Sequence, residues 1–548
     1  MNPLALLRAG AAVPGAVLGA ALGSGRQRRR VWTGRGKAHI EVRAVHRSGM
    51  EALAADVERA LHAAEGVQWA RVNAITGRVI VAFDPDGPSL DDLVGIVEGV
   101  EESHDVQDER FPHERPEHPG DIEPLRRQAV AIGADVAALG GSVFGQILRA
   151  SPFPVELGSL VALAENEPRV RRLLEQHVGV AVTDLGLGVT SAFVQALTQG
   201  PLSLVADLTH RVNQLGELQA NHRAWERREA DLCPPPAAEP LRAASIPPRH
   251  RPLRSGPVES YADVAAGLSV AGAGAVLAVT GSPRRAGGVV TAGVPKAARH
   301  GREAFAARLG RELAARDVVV LDRMALRRLD RIDVVVLDAR VLTSDRMVVR
   351  RVRAIGEHDV ATVRARALTL IDPGRPERIV RRGGWATGPL ETLGAEPSDG
   401  RGPRTTRQAG GRREVAISRS DHLAGVVTLE AEIDPLAEPL AEAVRRQGVR
   451  LVVAGKGSGL GARLRADEVV AGGVALARSV RSLQAEGLGV LLVSGGGANA
   501  ALRSADVGIG VDGHGPHPPW GAPLLTPPGL ASAHLVVASL EAARSVSR

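Results

Sequence analysis

Asp333-Val334-Val335-Val336-Leu337-Asp338-Ala339-Arg340-Val341-Leu342-Thr343 decides the reading of this chain, together with a second stretch, Val490-Leu491-Leu492-Val493-Ser494-Gly495-Gly496-Gly497-Ala498-Asn499. The run Val334 to Leu337, with an acid behind it, is what a buried parallel strand presents at its ligand edge. The second stretch reads as a strand, a glycine-rich turn and the start of an Ala/Leu-rich helix. Glycines there remove Cβ atoms where backbone must approach something closely. Both stretches therefore predict a strand running into a loop where chemistry can sit.

At 548 residues the chain is long enough for several domains. Lys+Arg 68 against Asp+Glu 61 gives a net charge of +7. Aromatic residues make up 2% and do not interleave with the basic ones, so no nucleic-acid partner is expected. The single cysteine, Cys233, rules out an intrachain disulfide and a cysteine-rich metal site.

Asp338-Ala339-Arg340-Val341-Leu342-Thr343 resembles the P-type ATPase phosphorylation motif, Asp-Lys-Thr-Gly-Thr-Leu-Thr. Gly495 to Ala500, followed by Ala501-Leu502-Arg503-Ser504-Ala505-Asp506-Val507-Gly508-Ile509-Gly510-Val511, resembles that family's hinge motif. The resemblance is to heavy-metal-type, cation-transporting members of actinobacterial character. It implies that Asp338 stands at the phosphorylated aspartate and that Gly495, Gly497, Asn499 and Asp506 are remnants of the hinge and Mg²⁺ loop. It implies ATP and Mg²⁺ as cofactors only where the family's activity is retained. Several partners of that chemistry are missing. Ala339 replaces a lysine, Lys456 an aspartate, Leu476 a phosphate-contacting lysine and Gly496 a hinge aspartate. The expectation is a pseudoenzyme with no certain cofactor and no metal site. One alternative is a residual ATP-driven transporter using Asp338; another is a soluble nucleotide-binding α/β protein. The glycines at 455, 457, 459 and 461 also invite a dinucleotide reading, but Leu460 falls where the fingerprint needs its third glycine.

Residues 1–37 read as a leader, apolar from Leu4 to Gly23 and then arginine-rich. Residues 38–104 read as a βαββαβ domain, with strands at Ala38 to Val45, Val67 to Val72 and Arg78 to Phe83 and helices at Met50 to Ala64 and Leu90 to Val100. This part resembles the ferredoxin-like heavy-metal-associated domain of P-type ATPases. Gly49-Met50 is followed by Glu51-Ala52-Leu53-Ala54-Ala55, without the thiolates that soft metals need. Residues 105–123 form a Pro-rich linker, whose His113 and His118 read as solvated.

Residues 124–207 read as a helical membrane hairpin containing the charge-free run Leu185 to Ala206, long enough to span a bilayer. Residues 208–260 hold a polar helix, Thr209 to Asp231, and a Pro-rich linker, a vestigial actuator without the family's Thr-Gly-Glu. Residues 261–295 form a second hairpin, from the uncharged run Val264 to Gly281 and the shorter Gly287 to Val294. Pro295 matches the proline that breaks the family's ion-path helix, although Val294 and Lys296 flank it where soft-metal pumps carry cysteines. Residues 296–344 form the stalk and the first part of the phosphorylation domain. Residues 345–420 are a vestigial nucleotide-binding insert, read largely as loop because little periodicity survives between Gly374 and Gly411. Residues 421–548 complete the phosphorylation domain and end in an apolar helix.

The expected fold class is thus α/β with membrane helices: a ferredoxin-like N-terminal domain, helical hairpins and a haloacid-dehalogenase-like (Rossmannoid) domain. The expected protein is a degenerate, truncated, multi-pass member of the cell membrane, with membrane lipid and an intact P-type ATPase as partners.

Overall fold

The computed structural model describes residues 29–112, 118–147, 201–235, 249–282, 296–393, 412–455, 459–515 and 517–548, with isolated positions between 243 and 289. Near the N-terminus, β1 (Val31–Gly34), β2 (Lys37–Glu41), β3 (Val67–Asn73) and β4 (Arg78–Phe83) make an antiparallel sheet in the order β1-β2-β4-β3. Strand alternation sends Ala38, Ile40, Val79 and Val81 to one face, where α1 (Glu51–His62) and α2 (Leu90–Ser103) cover them with Leu53, Val57, Leu61, Leu93 and Val97. A capping box starts α2: Ser89 Oγ accepts from Asp92 N at 3.2 Å, and the Asp92 carboxylate accepts from Ser89 N at 3.0 Å. The alternate residues, His39 and Ile80, point to the opposite face, toward the rest of the molecule.

Three expectations change here. The segment read as leader contributes β1, which fills the edge beside β2. Among the described residues no strand after α2 joins this sheet, so the order in this domain is ββαββα and not βαββαβ. Val106 and Phe111 are too sparse to alternate; Val106 joins the domain core, and Phe111 is buried beneath the guanidinium groups of Arg29 and Arg43. The linker is not solvated throughout: His118, Pro119 and Gly120 are buried, while His113 lies outside the described residues.

Three long helices follow. The central α4 (Pro201–Leu232) packs between α3 (Glu123–Ile147) and α6 (Lys296–Ala314). Two buried carboxylates on them are paired, Asp135 with Arg211 at 2.7 Å and Glu217 with Arg327 at 2.8 Å. Helix α4 runs unbroken across the boundary expected at 207 and 208. The apolar run Leu185 to Ala206 is described only from Pro201, and Pro295 lies outside the described residues. Helix α5 (Pro257–Thr280) has Pro at its first position and ends at Gly281 with φ +59°. Its Tyr261, Val264, Leu268, Val270, Leu277 and Val279 are exposed. Among the described residues it is the one helix long and apolar enough to cross a membrane.

The two opening stretches lie in a seven-stranded sheet. It consists of β5 (Val319–Val320), β6 (Val334–Asp338), β12 (Arg450–Ala454), β13 (Glu468–Val470), β14 (Val490–Gly495), β15 (Val507–Val511) and β16 (Leu524–Thr526), in the order β13-β12-β6-β14-β15-β16-β5. All neighbours are parallel except β16 and β5. One face is covered by α6, α8 (Ala437–Arg446), α11 (Ala531–Ala538) and α12 (Leu540–Ser547). The other is covered by α4, α9 (Leu476–Ala485) and α10 (Asn499–Ser504). Burial on both faces is why β6 and β14 read as unbroken apolar runs.

The insert after β6 corrects the loop expectation for 345–420. It folds as β7 (Thr343–Ala354), α7 (Val360–Leu370), β8 (Val380–Arg382), β9 (Trp385–Pro389), β10 (Arg412–Arg419) and β11 (His422–Ile433). Its strands are antiparallel in the order β7-β11-β10-β9-β8, around a core of Val363, Ala367, Trp385, Ile417 and Val427. Val426 to Leu429 belongs to this sheet, so the second part of the α/β domain resumes after β11 and not at 421. Arginines and short strands mask the periodicity here, as in β10, where Val415 and Ile417 are flanked by Arg413 and Arg419.

Candidate functional site

The central strand β6 delivers Asp338 to the C-terminal edge of the sheet, beside Ala454 of β12 and next to β14. The chain turns at once, with Ala339 N bonded to Ala454 O at 2.8 Å and Val341 N to Asp338 O at 3.1 Å. This turn folds Arg340 back over the acid. Asp338 Oδ1 accepts from Arg340 N at 3.1 Å and from Arg340 Nε at 3.3 Å. Oδ2 accepts from Arg340 Nε at 3.1 Å, from Arg340 Nη2 at 2.7 Å and from Ser494 Oγ at 2.6 Å. A carboxylate has about four lone-pair sites, and four donors surround this one, with Arg340 Nε shared between its two oxygens. Asp338 is 1% exposed. Its carboxylate pushes the Arg340 guanidinium above its ordinary value. The result is an ion pair of a buried carboxylate beneath a half-exposed guanidinium, at the position where the resemblance places a nucleophile.

The glycine turn closes the site from the β14 side. A Cβ on Gly497 would sit 3.2 Å from Arg340 Nη1, so the guanidinium lies against this turn. A Cβ on Gly495 would collide with His514 O, and one on Gly496 with His517 O. The segment between β15 and β16 therefore rests directly on the hinge backbone, in the space that an acidic side chain at 496 would need. Asn499 fastens the arrangement: its Nδ2 donates to Gly496 O at 2.7 Å and its Oδ1 accepts from Gly521 N at 2.9 Å.

Gly495, Gly497 and Asn499 are thus brought to Asp338, with Asn499 in a bracing role. Asp506 is not. It lies at the opposite end of β14, accepting from Val490 N at 2.9 Å and Gln484 Nε2 at 3.1 Å and pairing with Arg249. Leu476 is fully buried against the sheet with Val480 and Leu483. Lys456 and Pro295 lie outside the described residues. Among the described residues no group of three or more His, Cys, Asp or Glu side chains is placed to hold a metal ion. The sequence reading assigned no role to Arg340 or Ser494. The available signal was an arginine two residues past the acid and a hydroxyl closing the neighbouring strand.

No family model matches the chain. The probable cation-transporting ATPase I of Mycobacterium tuberculosis (strain ATCC 25618 / H37Rv) is 30% identical over 552 residues, an alignment covering 90% of this chain and 33% of that protein. The protein of the same name in Mycobacterium leprae (strain TN) gives the same identity and coverage. The chain spans about one third of the length of these relatives. A crystal structure of a zinc-transporting PIB-type ATPase matches with TM-score 0.41 and 15% identity, over 60% of this chain and 58% of that one. The catalytic domain of the CPx-ATPase CopB-B matches with TM-score 0.27 and 13% identity, over 41% of this chain and 98% of that one. Scores this low carry no argument about the fold, which rests on the strand order and register described above. Along nine-tenths of its own length the chain is similar in sequence to proteins described as probable cation-transporting ATPases.

Proposed function

We propose that this protein is a non-phosphorylating homologue of cation-transporting P-type ATPases, held at the cell membrane and acting on an intact pump as a regulatory module. In this reading the seven-stranded domain is haloacid-dehalogenase-like, the N-terminal domain is a rearranged ferredoxin-like module without thiolates, and α5 is one of several membrane spans. The observation that carries the reading is the saturation of Asp338 by Arg340 and Ser494. Aspartyl phosphorylation needs a free carboxylate oxygen in line with the terminal phosphate, and cations on the phosphate oxygens. Here the cation, Arg340, is bound to the would-be nucleophile instead.

The test is reconstitution with an intact cation-transporting P-type ATPase. The pump's ATP turnover should change when this protein is added, and the Asp338→Asn variant should have the same effect. ATP hydrolysis by this protein alone, lost in Asp338→Asn, would replace the regulatory reading with that of a working transporter.

A further inference from the structure

A second polar cluster lies where the open face of the N-terminal sheet meets α4 and the α/β domain. Trp32 of β1, His39 of β2, His118 of the segment before α3, Trp225 of α4 and Trp520 before β16 close around one another. His118 stacks on Trp32 with ring centroids 4.5 Å apart, and meets His39 and Trp225 edge-on at 4.5 and 4.7 Å. Three of the chain's five tryptophans meet here. The same junction has few other polar ties, among them Arg503 to Ile75 O and Lys37 to Cys233 O at 2.9 Å.

The hydrogen bonds fix the protons. Gly120 N donates to His118 Nδ1 at 3.1 Å, so that nitrogen carries a lone pair and the His118 proton sits on Nε2. His118 Nε2 faces His39 Nδ1 at 3.1 Å, so it donates and His39 Nδ1 accepts. The His39 proton is then on Nε2, a buried donor without a protein acceptor among the described residues, as is Trp225 Nε1. Both residues line a cavity of about 20 Å³, room for one water molecule. The relay Gly120 to His118 to His39 exists only with both imidazoles neutral. A proton added to His118 must go on Nδ1, against the Gly120 N–H. One added to His39 must go on its Nδ1, against the His118 N–H. Either places two donors face to face in a site with no room to turn.

We propose that this cluster is an acid-labile latch: it holds the N-terminal domain against α4 and the α/β domain at neutral pH and releases it when His39 or His118 is protonated. The surrounding charges favour neutral rings. Lys37 lies on β2 itself, Arg78 on β4 and His222 on α4, while Glu41 is engaged with Arg78 at 3.9 Å and Glu229 of α4 faces Lys37. Trp520 and Leu321 bring no charge from the α/β side. Burial, then Arg78 and Lys37, hold His39 well below its ordinary value; burial, then His39, Arg78 and His222, do the same for His118. The sign follows. A base whose folded value is depressed contributes in full above its unfolded value, about 6.5, and that contribution is lost as pH falls below it. The latch equilibrium should shift by up to about tenfold per pH unit for each imidazole that titrates.

The test uses the full chain in detergent micelles between pH 8 and 5, reading tryptophan emission and its quenching by acrylamide. A reversible red shift with rising quenching below about pH 6.5 is expected. In His118→Gln the amide nitrogen can still donate to His39 and its oxygen can still accept from Gly120, but the group does not titrate. That variant should keep the latch closed at pH 7 and show a shallower transition, and His39→Gln combined with it should show none. A wild-type protein whose tryptophans do not respond between pH 8 and 5 would overturn the proposal, whatever the variants do. An unchanged transition in a folded double variant would overturn it equally.

Discussion

At Gly496 the lack of a side chain is a condition of the fold, because the His517 carbonyl occupies the place of a Cβ. Gly496→Asp, which restores the acid of the hinge motif, should therefore not restore a metal site. Overpacking of this kind costs about 1–3 kcal/mol, and an unpaired carboxylate beside Asp338 adds to that. A lowered melting temperature in thermal unfolding, without Mg²⁺-dependent stabilisation, is the expected outcome. A variant as stable as the parent that gains stability with Mg²⁺ would show that the segment over the hinge moves aside freely. The position of Asp338 was legible in the sequence because an unbroken apolar run ending in an acid marks the C-terminal edge of a buried parallel strand. Arg340 was not, since its role depends on a turn that reverses within two residues and aims the guanidinium backward. Asp506 misled for the opposite reason: its neighbours match the hinge motif, yet β15 starts there, at the far end of the sheet from the glycines.

Among the elements, α5 carries the clearest physical demand. This 24-residue helix is tied to its neighbours near its start, where Glu259 pairs with Arg302 and with Arg331 at 3.3 Å, but it leaves six large apolar side chains exposed, and water is a poor solvent for such a surface. Membrane fractions should retain the protein through alkaline carbonate extraction. Soluble monomer recovered without detergent would count against a membrane role for this helix. Its length and lack of charge were legible in the sequence, and so were β6 and β14, because burial on both faces leaves continuous apolar runs. The insert was not, because its one-sided strands alternate apolar residues with solvated arginines and resemble low-complexity sequence. Strand β1 was missed for a similar reason. Val31-Trp32-Thr33-Gly34 directly follows a run of arginines and is too short to show a period, yet β2 offers it an edge to pair with.

On the scale of the whole molecule, an α/β domain keeps the strand order that presents an aspartate at its central edge, and then neutralises that aspartate from within. Around it the N-terminal sheet is docked through an aromatic junction, and an apolar helix leaves its large side chains exposed. The central claim is that Asp338 forms no phosphoenzyme. Loss of one group that stabilises a developing charge costs about 10²–10³ in rate. Here the position of the lysine is Ala339, that of the hinge aspartate is Gly496, and the carboxylate itself is held by Arg340 and Ser494. The decisive measurement is incubation of the purified protein with γ-³²P-ATP and Mg²⁺, an acid quench and an acidic gel. The account predicts no hydroxylamine-sensitive band in the parent protein or in Asp338→Asn. A labelled, hydroxylamine-sensitive band in the parent that disappears in Asp338→Asn would contradict it.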